Sequence, residues 1–202
     1  RLLASGKNVV TPLNWFYPGK RGVSSLEQAC KAGNSTLHGT GIHPGGITER
    51  FPLMISALSS AITHVRAEEF SDIRTYNAPN VVSDIMLFGK TPQETAASPM
   101  VHFLGQGFQQ SMEMVAAELG FAVDPKVVST HEFAVATAPI ESPIGVIAPG
   151  LIAAQRFTWQ HTVRGEPVIT VRVNWFMGEE NLEPDWNFGP QGERFEVEVS
   201  GD

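Results

Sequence analysis

A glycine-rich segment is the part of this sequence best suited to chemistry. Residues 39–46 read Gly-Thr-Gly-Ile-His-Pro-Gly-Gly and fall between a short apolar run and a helical pattern. Glycines let a backbone approach a ligand closely, and the first turn of a helix offers free N–H groups to an anion or a carbonyl oxygen. The spacing differs from the dinucleotide-binding fingerprint. The segment predicts a ligand-contacting loop, with a tight turn filled by His43 as the alternative.

A second candidate segment follows the apolar run at residues 8–11, which has the pattern of a buried parallel strand. Asn14, Trp15 and Tyr17 come directly after that run. Ligands of doubly wound sheets bind beyond the carboxyl ends of the strands. These side chains are therefore predicted to lie where a nicotinamide ring and a small substrate would meet. The alternative is a hydrophobic lid or a domain interface.

Acidic residues crowd one predicted strand. Neighbouring strand residues point to opposite faces, so Glu68 and Asp72 share one side while Glu69 and Ser71 share the other. Carboxylates that line a cleft shift their pKa values and serve as acids or bases. Glu69 is a candidate for that role. The alternative is a set of ion pairs with the arginines of the same strand.

Metal and nucleic-acid sites are not indicated. The histidines other than His43 lack the spacing of metal ligands, and Cys30 is the single cysteine, so no metal site is predicted. The net charge is −7 and no Lys/Arg run is present, which disfavours nucleic acid and anionic membranes. No apolar run reaches the roughly 20 residues that span a bilayer. The first residues do not resemble a signal peptide, and a reducing cytoplasm is expected.

The elements that must position these residues change in character along the chain. Residues 1–5 resemble the end of a helix, residues 12–23 a loop, residues 24–32 a helix, residues 36–38 a strand and residues 47–62 a helix. A helix, a glycine and a strand in succession are typical of a parallel α/β domain. Both ends are interpreted as cuts in a longer polypeptide, the alternative being a complete small protein.

From residue 63 onward the pattern favours an antiparallel sheet. Strands are predicted at 63–76, 127–137, 151–163, 168–177 and 194–199, and helices at 81–88 and 100–119. Residues 164–167 predict a hairpin turn. The predicted fold is α+β, a mostly antiparallel open sheet with helices packed on one face, preceded by the remnant of a parallel α/β (Rossmann) domain. Residues 1–22 are assigned to that remnant and 23–202 to a substrate-binding and dimerisation domain.

Several segments together carry a family resemblance. They are Gly6-Lys7-Asn8-Val9-Val10-Thr11, Tyr17-Pro18, the loop from Gly39 to Gly45, the run from Phe88 to Glu94, and the helix from Ser111 to Ala116 that leads to Leu119-Gly120-Phe121. As a set they resemble the dihydrodipicolinate reductase-like superfamily. The branch they resemble includes 2,4-diaminopentanoate dehydrogenase and the native amine dehydrogenases, and the similarity runs from about residue 6 to residue 180.

The resemblance implies an NAD(P)-dependent dehydrogenase or reductase, with hydride transfer at a C–N or C–O centre and a homodimer formed through the sheet. NAD or NADP would bind mainly to a preceding Rossmann domain, and a small molecule would be the substrate. The implied cofactor-binding residues are Thr11, Gly39, Gly41, His43, Pro44 and Gly45. Together with the residue patterns above, the leading hypothesis takes Asn14, His43 and Glu69 as catalytic residues and Trp15 and Tyr17 as substrate-binding residues. His43 and Glu69 would donate or orient a proton.

Two departures from the family pattern bear on the reaction. The amine-dehydrogenase branch carries a glutamate pair before the Tyr-Pro step, where this chain has Leu13 and Asn14. A neutral Asn14 forms hydrogen bonds but is not a general base. The His-His-x-x-Lys run of true dihydrodipicolinate reductases is missing, which argues against lysine biosynthesis. A non-enzymatic dimerisation or ligand-binding module is the alternative function.

Overall fold

The chain begins with a small parallel α/β unit in the computed structural model, which describes residues 1–19, 22–189 and 192–202. A short 3-10 turn at Leu3–Ser5 precedes strand β1 at Val9–Thr11, helix α1 at Ser24–Gly33 and strand β2 at Leu37–Gly39. The two strands pair in parallel, with Thr11 opposite Gly39. The parallel α/β segment predicted ahead of the main sheet is confirmed.

The predicted boundary between residues 22 and 23 falls inside this unit. β1 lies before that boundary and its partner β2 lies after it. Residues 20 and 21 of the predicted 12–23 loop lie outside the described residues. The division into two domains stays a prediction, and the β1–β2 pairing shows that parallel structure continues to Gly39.

The main sheet has six strands and is mostly antiparallel. Its members are β3 (His64–Asp72), β4 (Val128–Ala136), β7 (Ile152–Val163), β8 (Glu166–Phe176), β9 (Leu182–Glu183) and β10 (Arg194–Ser200). The order is β10-β3-β8-β7-β4-β9, and β3 pairs with β8 in parallel. A separate hairpin is formed by β5 (Ile140–Ser142) and β6 (Gly145–Ile147). The predicted α+β class is confirmed.

Most helical segments lie between β2 and β4 along the chain. The segment Ile42–Arg50 makes wide helical turns interrupted at residues 43–45, and it continues into α2 (Phe51–Ser56). Two short turns, Ile73–Thr75 and Val81–Ile85, and helix α3 (Pro92–Ala96) precede α4 (Met100–Leu119).

The predicted 47–62 helix ends early, at Ser56. The backbone N–H groups of Ser60 and Thr63 donate to the carbonyls of Asp202 and Ser200 at 3.1 and 2.8 Å. The chain leaves the helix because these groups pair with the end of β10, a contact that the local sequence pattern does not record.

Helix α4 packs across one face of the sheet. Phe108, Met112 and Val115 bury their side chains against a patch of the sheet. Its members include Val65, Phe157, Trp159, Ile169, Val171 and Val173. Glycines at 105 and 107 predict a weak first half, yet the helix begins at Met100. A Cβ at Gly105 would lie 2.6 Å from Trp159 Nε1. The glycine therefore lets the helix approach the sheet.

The opposite face of the sheet is polar but not fully solvated. Thr170 and Asn174, which point to that face of β8, are buried. Glu68 on the adjacent β3 is also buried and accepts hydrogen bonds from Asn174 and Arg172. The alternation of residues along β8 predicted one apolar and one polar face of the sheet. The side chains of the polar face form a hydrogen-bonded layer that is largely shielded from water.

Candidate active site

The parallel strands bring the two predicted functional loops to one edge. Thr11 and Gly39 are register partners at the carboxyl ends of β1 and β2, and the Thr40 N–H donates to the Thr11 carbonyl at 3.0 Å. The loop after each strand therefore starts from the same place. This is the edge at which parallel α/β sheets bind ligands.

The first loop is tightly held around Asn14. The Oδ1 of Asn14 accepts a hydrogen bond from the Trp15 backbone N–H at 2.8 Å, and a second from Nε2 of Gln110 in α4. Trp15 has a φ of 70°, which is uncommon for a residue other than glycine. A Cβ at Gly39 would lie 2.3 Å from the Trp15 carbonyl oxygen. Gly39 is needed because the two backbones cross in direct contact.

The second loop uses its glycines to shape its own backbone. A Cβ at Gly41 would lie 2.6 Å from the Pro44 carbonyl oxygen, and Gly45 has a φ of 133° that favours glycine. The His43–Pro44 peptide bond is cis. The Cγ of Pro44 would lie 3.4 Å from a Cβ at Gly107 of α4, so the loop also packs on that helix. The tight-turn interpretation is therefore supported, and contact with a ligand stays a prediction.

His43 points inward from this loop. Its Nδ1 lies 3.0 Å from the Thr48 Oγ1, and its ring packs 4.8 Å from Phe108 and 6.0 Å from Phe195, centroid to centroid. Its Nε2 is buried without a hydrogen-bond partner among the described residues. Burial lowers the pKa of His43 to about 3, which a weaker effect of the Arg172 backbone opposes. A neutral ring fits the orienting role better than that of a cationic proton donor.

Glu49 is a buried residue of the candidate site that the sequence analysis did not identify. It is 2% exposed and its Oε2 accepts the Gly45 N–H at 3.0 Å. Burial raises the pKa of this carboxyl group, and hydrogen bonds and Arg50 oppose the shift. A glutamate in a helical pattern ordinarily reads as a solvated charge. The available signal was its position one turn after the glycine loop, where a carboxylate can reach back to free N–H groups.

Glu69 lies apart from the two loops. It belongs to the face of β3 that α4 covers, and its Oε1 accepts from Ser71 Oγ at 2.8 Å and from Trp175 Nε1 at 3.0 Å. Burial raises its pKa. Its register partner in β10 is Phe195, the ring that packs near His43. No hydrogen bond connects Glu69 to either loop in the described part of the chain. Glu68 and Asp72, by contrast, form ion pairs with Arg66 and Arg74.

The predicted substrate-binding residues separate in the structure. Trp15 lines a cavity of about 340 Å³ between its loop, α1 and β2, together with Pro18, Leu26 and Cys30. Tyr17 is half-buried and is not among the residues that line this cavity. Thr11, a predicted cofactor residue, accepts the Leu13 N–H on its Oγ1 at 3.2 Å. The two loops therefore bring Thr11, Asn14 and residues 39–45 to one edge, whereas Trp15 lines the cavity beside α1 and Glu69 lies on the sheet.

Features of metal-binding and membrane-spanning proteins are missing from the described residues. They contain no group of three or more His, Cys, Asp or Glu side chains that could hold a metal ion. Across residues 1–19, 22–189 and 192–202, no helix is both long and apolar enough to cross a bilayer.

A family model for the C-terminal domain of 2,4-diaminopentanoate dehydrogenase matches residues 49–175. The chain belongs to this family. The family resemblance predicted from the sequence is confirmed. The matched region begins at Glu49, so the loops that carry Asn14 and His43 precede it, while Glu69 and Gln110 lie inside it.

Two known proteins are similar to this chain over almost its whole length. An amine dehydrogenase of Streptomyces virginiae is 26% identical over 201 residues, which are 95% of this chain and 54% of that protein. The structure of an amine dehydrogenase from Mycobacterium smegmatis superposes with a TM-score of 0.70 at 17% identity, over 99% of this chain and 60% of the other. The likeness to the second shows the fold. The chain spans about half the length of the curated relative that it matches.

The edge described above is where the sequence predicted contact with a nicotinamide ring. At Gly39 and Gly41 the space that a Cβ would take is filled by backbone atoms of Asn14, Trp15 and Pro44, so these two glycines permit close contacts within the chain. The buried Nε2 of His43 is an unpartnered polar atom of the same loop. The assignment of Thr11, Gly39 and Gly45 to cofactor binding stays a prediction.

Proposed function

We propose that this chain is the C-terminal catalytic and dimerisation part of an NAD(P)-dependent oxidoreductase that transfers hydride to or from a small C–N or C–O substrate. The main support is the pair of loops that meet at the carboxyl ends of β1 and β2. These loops belong to a chain that matches the family model of a dehydrogenase C-terminal domain. The relatives named amine dehydrogenase support the reaction class.

The proposal includes a nucleotide-binding domain ahead of this chain. Val10, in the middle of β1, is 67% exposed. Parallel strands are normally covered on both faces, so a two-stranded parallel sheet with an exposed valine favours further strands and helices beside it. The matched relatives are long enough to supply them, because the chain covers 54% and 60% of their lengths.

The chain's own residues would bind and orient the reactants. A bound nicotinamide nucleotide supplies the hydride chemistry. Peptide groups of the loop that contains Gly39, Gly41 and Gly45 would border the ring, and the Asn14 amide would hold the polar group of the substrate. Neutral His43 supports the loop from within the aromatic cluster with Phe108. Glu69 would act as an acid only if the substrate reaches from the loops to the sheet.

The main test is nucleotide binding by the full-length protein. Titration with NADH and NADPH, followed by nicotinamide fluorescence, is expected to show saturable binding of at least one nucleotide. Gly39→Ala should weaken it, since the new methyl group pushes the Asn14–Trp15 backbone away. Ser25→Ala on the exposed start of α1 serves as the control. If neither nucleotide binds, the dimerisation or ligand-binding module becomes the better description.

The proposed homodimer would use the sheet face opposite α4. That face carries Arg66 and Arg172, whose side chains are about a quarter and a third exposed. Light scattering on the full-length protein is expected to give the mass of a dimer. A charge reversal at the exposed Glu132 of the same face should lower that mass, and a monomeric wild-type protein would contradict this part of the proposal.

A further inference from the structure

We infer that Glu69 binds the positively charged amino group of a small substrate, with the rings of Trp175 and Phe195 beside it. The inference rests on the proposed function and places the charged end of the substrate on the sheet and not at Asn14. It is based on a partly open carboxylate that is oriented by two hydrogen bonds and has no cationic partner among the described residues.

The sheet face on which α4 packs opens toward the carboxyl ends of β3 and β8. At the other end of these strands Val65 and Ile169 are each 1% exposed, because they pack in the cluster that α4 covers. Further along, Glu69 and Trp175 are only partly buried. Phe195 of β10 is the register partner of Glu69 and is 44% exposed. This end of the face is therefore accessible to a small molecule.

The glycine loop borders the same opening. The His43 ring lies 6.0 Å from the Phe195 ring, centroid to centroid. Strand β3 lies between β10 and β8, so Glu69 has Phe195 on one side and Val173 on the other. A substrate that contacts both Glu69 and Phe195 would therefore lie beside the loop that is predicted to meet the nicotinamide ring.

The Glu69 carboxylate is held through one of its two oxygens. Its Oε1 accepts from Ser71 Oγ at 2.8 Å and from Trp175 Nε1 at 3.0 Å. Its Oε2 has no hydrogen-bond partner in the described part of the chain and is not one of the fully buried atoms that lack one. The protein thus orients the carboxylate with one oxygen and leaves the other accessible to a ligand.

Glu69 has no ion-pair partner among the described residues, in contrast to its neighbour Glu68. On the opposite face of the sheet, Glu68 pairs with Arg66 and Arg172. Burial and, more weakly, the like charge of the exposed Glu193 raise the pKa of Glu69. A partly buried carboxylate without a counter-ion is unfavourable, so a ligand that brings a positive charge is stabilised there.

The other candidate groups near the two loops are less suited to a cation. Asn14 is neutral and provides no counter-charge. Glu49 is 2% exposed and accepts the Gly45 N–H from inside the glycine loop. Glu69 is therefore the carboxylate of the candidate site that combines a free oxygen with an open face.

The two aromatic rings favour an amine over an uncharged compound of the same shape. Phe195 and Trp175 provide apolar surface for a carbon skeleton, and their ring faces attract an ammonium group. A charge-assisted hydrogen bond to a carboxylate is also roughly twice as strong as one between neutral groups. An alcohol or ketone would gain the apolar contact but neither of the two charge effects.

The test measures binding to the full-length protein without turnover. Butan-2-amine is an ammonium ion at neutral pH, and butan-2-ol has the same carbon skeleton. Both are titrated by ligand-observed NMR, first without nucleotide and then with NADH or NADPH, which cannot oxidise them. The wild-type protein is expected to bind the amine at least about tenfold more tightly than the alcohol.

Three variants locate the source of the preference. Glu69→Gln keeps the shape and the oxygen that Ser71 and Trp175 bind, and is expected to abolish the amine preference while alcohol and nucleotide binding are kept. Glu193→Gln is the matched control, since an exposed charge is screened by salt and most of the preference should remain. Phe195→Leu keeps an apolar side chain and should weaken amine binding by about threefold.

Equal binding of amine and alcohol by the wild-type protein, or an amine preference that Glu69→Gln leaves unchanged, overturns the inference. Equal losses in Glu69→Gln and Glu193→Gln do the same, because they assign the attraction to general negative charge. If circular dichroism shows that Glu69→Gln is unfolded, Phe195→Leu decides, and an unchanged preference in that variant overturns the inference.

Failure of the inference is distinguishable from failure of the proposed function. Nucleotide binding without an amine preference leaves the dehydrogenase proposal standing and overturns the role of Glu69. An amine preference that depends on Glu69 in a protein that binds neither NADH nor NADPH supports the amine site and overturns the proposed reaction.

Discussion

At the scale of single residues, burial changes what the candidate side chains can do. The sequence identified His43 as a proton donor or orienter, and the structure surrounds it with Phe108 and Phe195. Glu49 reads as a surface charge but supports the glycine loop from inside. In both cases the residue type was visible in the sequence, whereas its solvation depended on elements that are distant along the chain.

The buried His43 ring predicts a pH-dependent stability. Its pKa is about 3 in the folded protein and about 6.5 when unfolded, so its contribution is complete above pH 6.5. The contribution is lost as pH falls toward 3, because the unfolded chain takes up a proton that the folded chain excludes. His43→Asn should therefore show a smaller loss of unfolding free energy between pH 7 and pH 4 than the wild-type protein.

Urea denaturation at pH 7, 5 and 4 measures this difference. Burial also lowers the pKa values of His131 and His161. The unfolding free energy of the variant is therefore still expected to decrease as the pH falls, but less steeply than that of the wild-type protein. The same replacement at the exposed His38 is the control and is expected to keep the wild-type slope. An identical slope for His43→Asn and wild type would contradict the prediction.

At the scale of elements, tertiary packing overrode several local preferences. Glycine lowers helix stability by about 1 kcal/mol relative to alanine, so Gly105 and Gly107 weaken the first half of the predicted 100–119 helix. The helix is nevertheless continuous from Met100, because Gly105 allows Trp159 to pack against its backbone. The hairpin between β7 and β8 was readable locally, since Arg164 and Gly165 both adopt the positive φ that such turns require.

Gly105→Ala tests the close approach of α4 to the sheet. Alanine improves helix propensity, but its Cβ would lie 2.6 Å from Trp159 Nε1. The expected net result is a destabilisation of about 1–3 kcal/mol, measured by urea denaturation. Gly107→Ala is the control, since its Cβ would make an ordinary 3.4 Å contact with Pro44. Equal effects of both variants would show that propensity and not packing decides stability here.

At the scale of the whole molecule, long-range pairs hold the polar face of the sheet. Glu68 is 3% exposed and contacts Arg66 of its own strand, Arg172 of β8 and Asn174. Arg66 also pairs with Glu196 and Glu198 of β10. Residues more than 100 positions apart therefore fix the parallel β3–β8 register and the docking of the last strand.

Glu68→Gln is expected to lower stability by about 1–3 kcal/mol, because two arginines lose a buried charged partner. Glu198→Gln removes a partner of the same Arg66 at an exposed position, and its effect should stay within about 1 kcal/mol. The comparison uses denaturation midpoints at low and high salt. If Glu198→Gln lowers stability as much as Glu68→Gln does, burial of Glu68 is not the reason for its larger expected effect.

The sequence by itself determined the α+β class, the parallel start, the hairpin and most strand positions, because hydrophobic periodicity and turn chemistry are local. It also located the two loops that contain Asn14 and His43. Only the tertiary structure decided the parallel pairing of β3 with β8, the burial of Glu49 and Glu68, and the contact of Gln110 with Asn14. These depend on which surfaces meet across the fold, and pairwise contacts between distant residues leave no periodic signal in a single sequence.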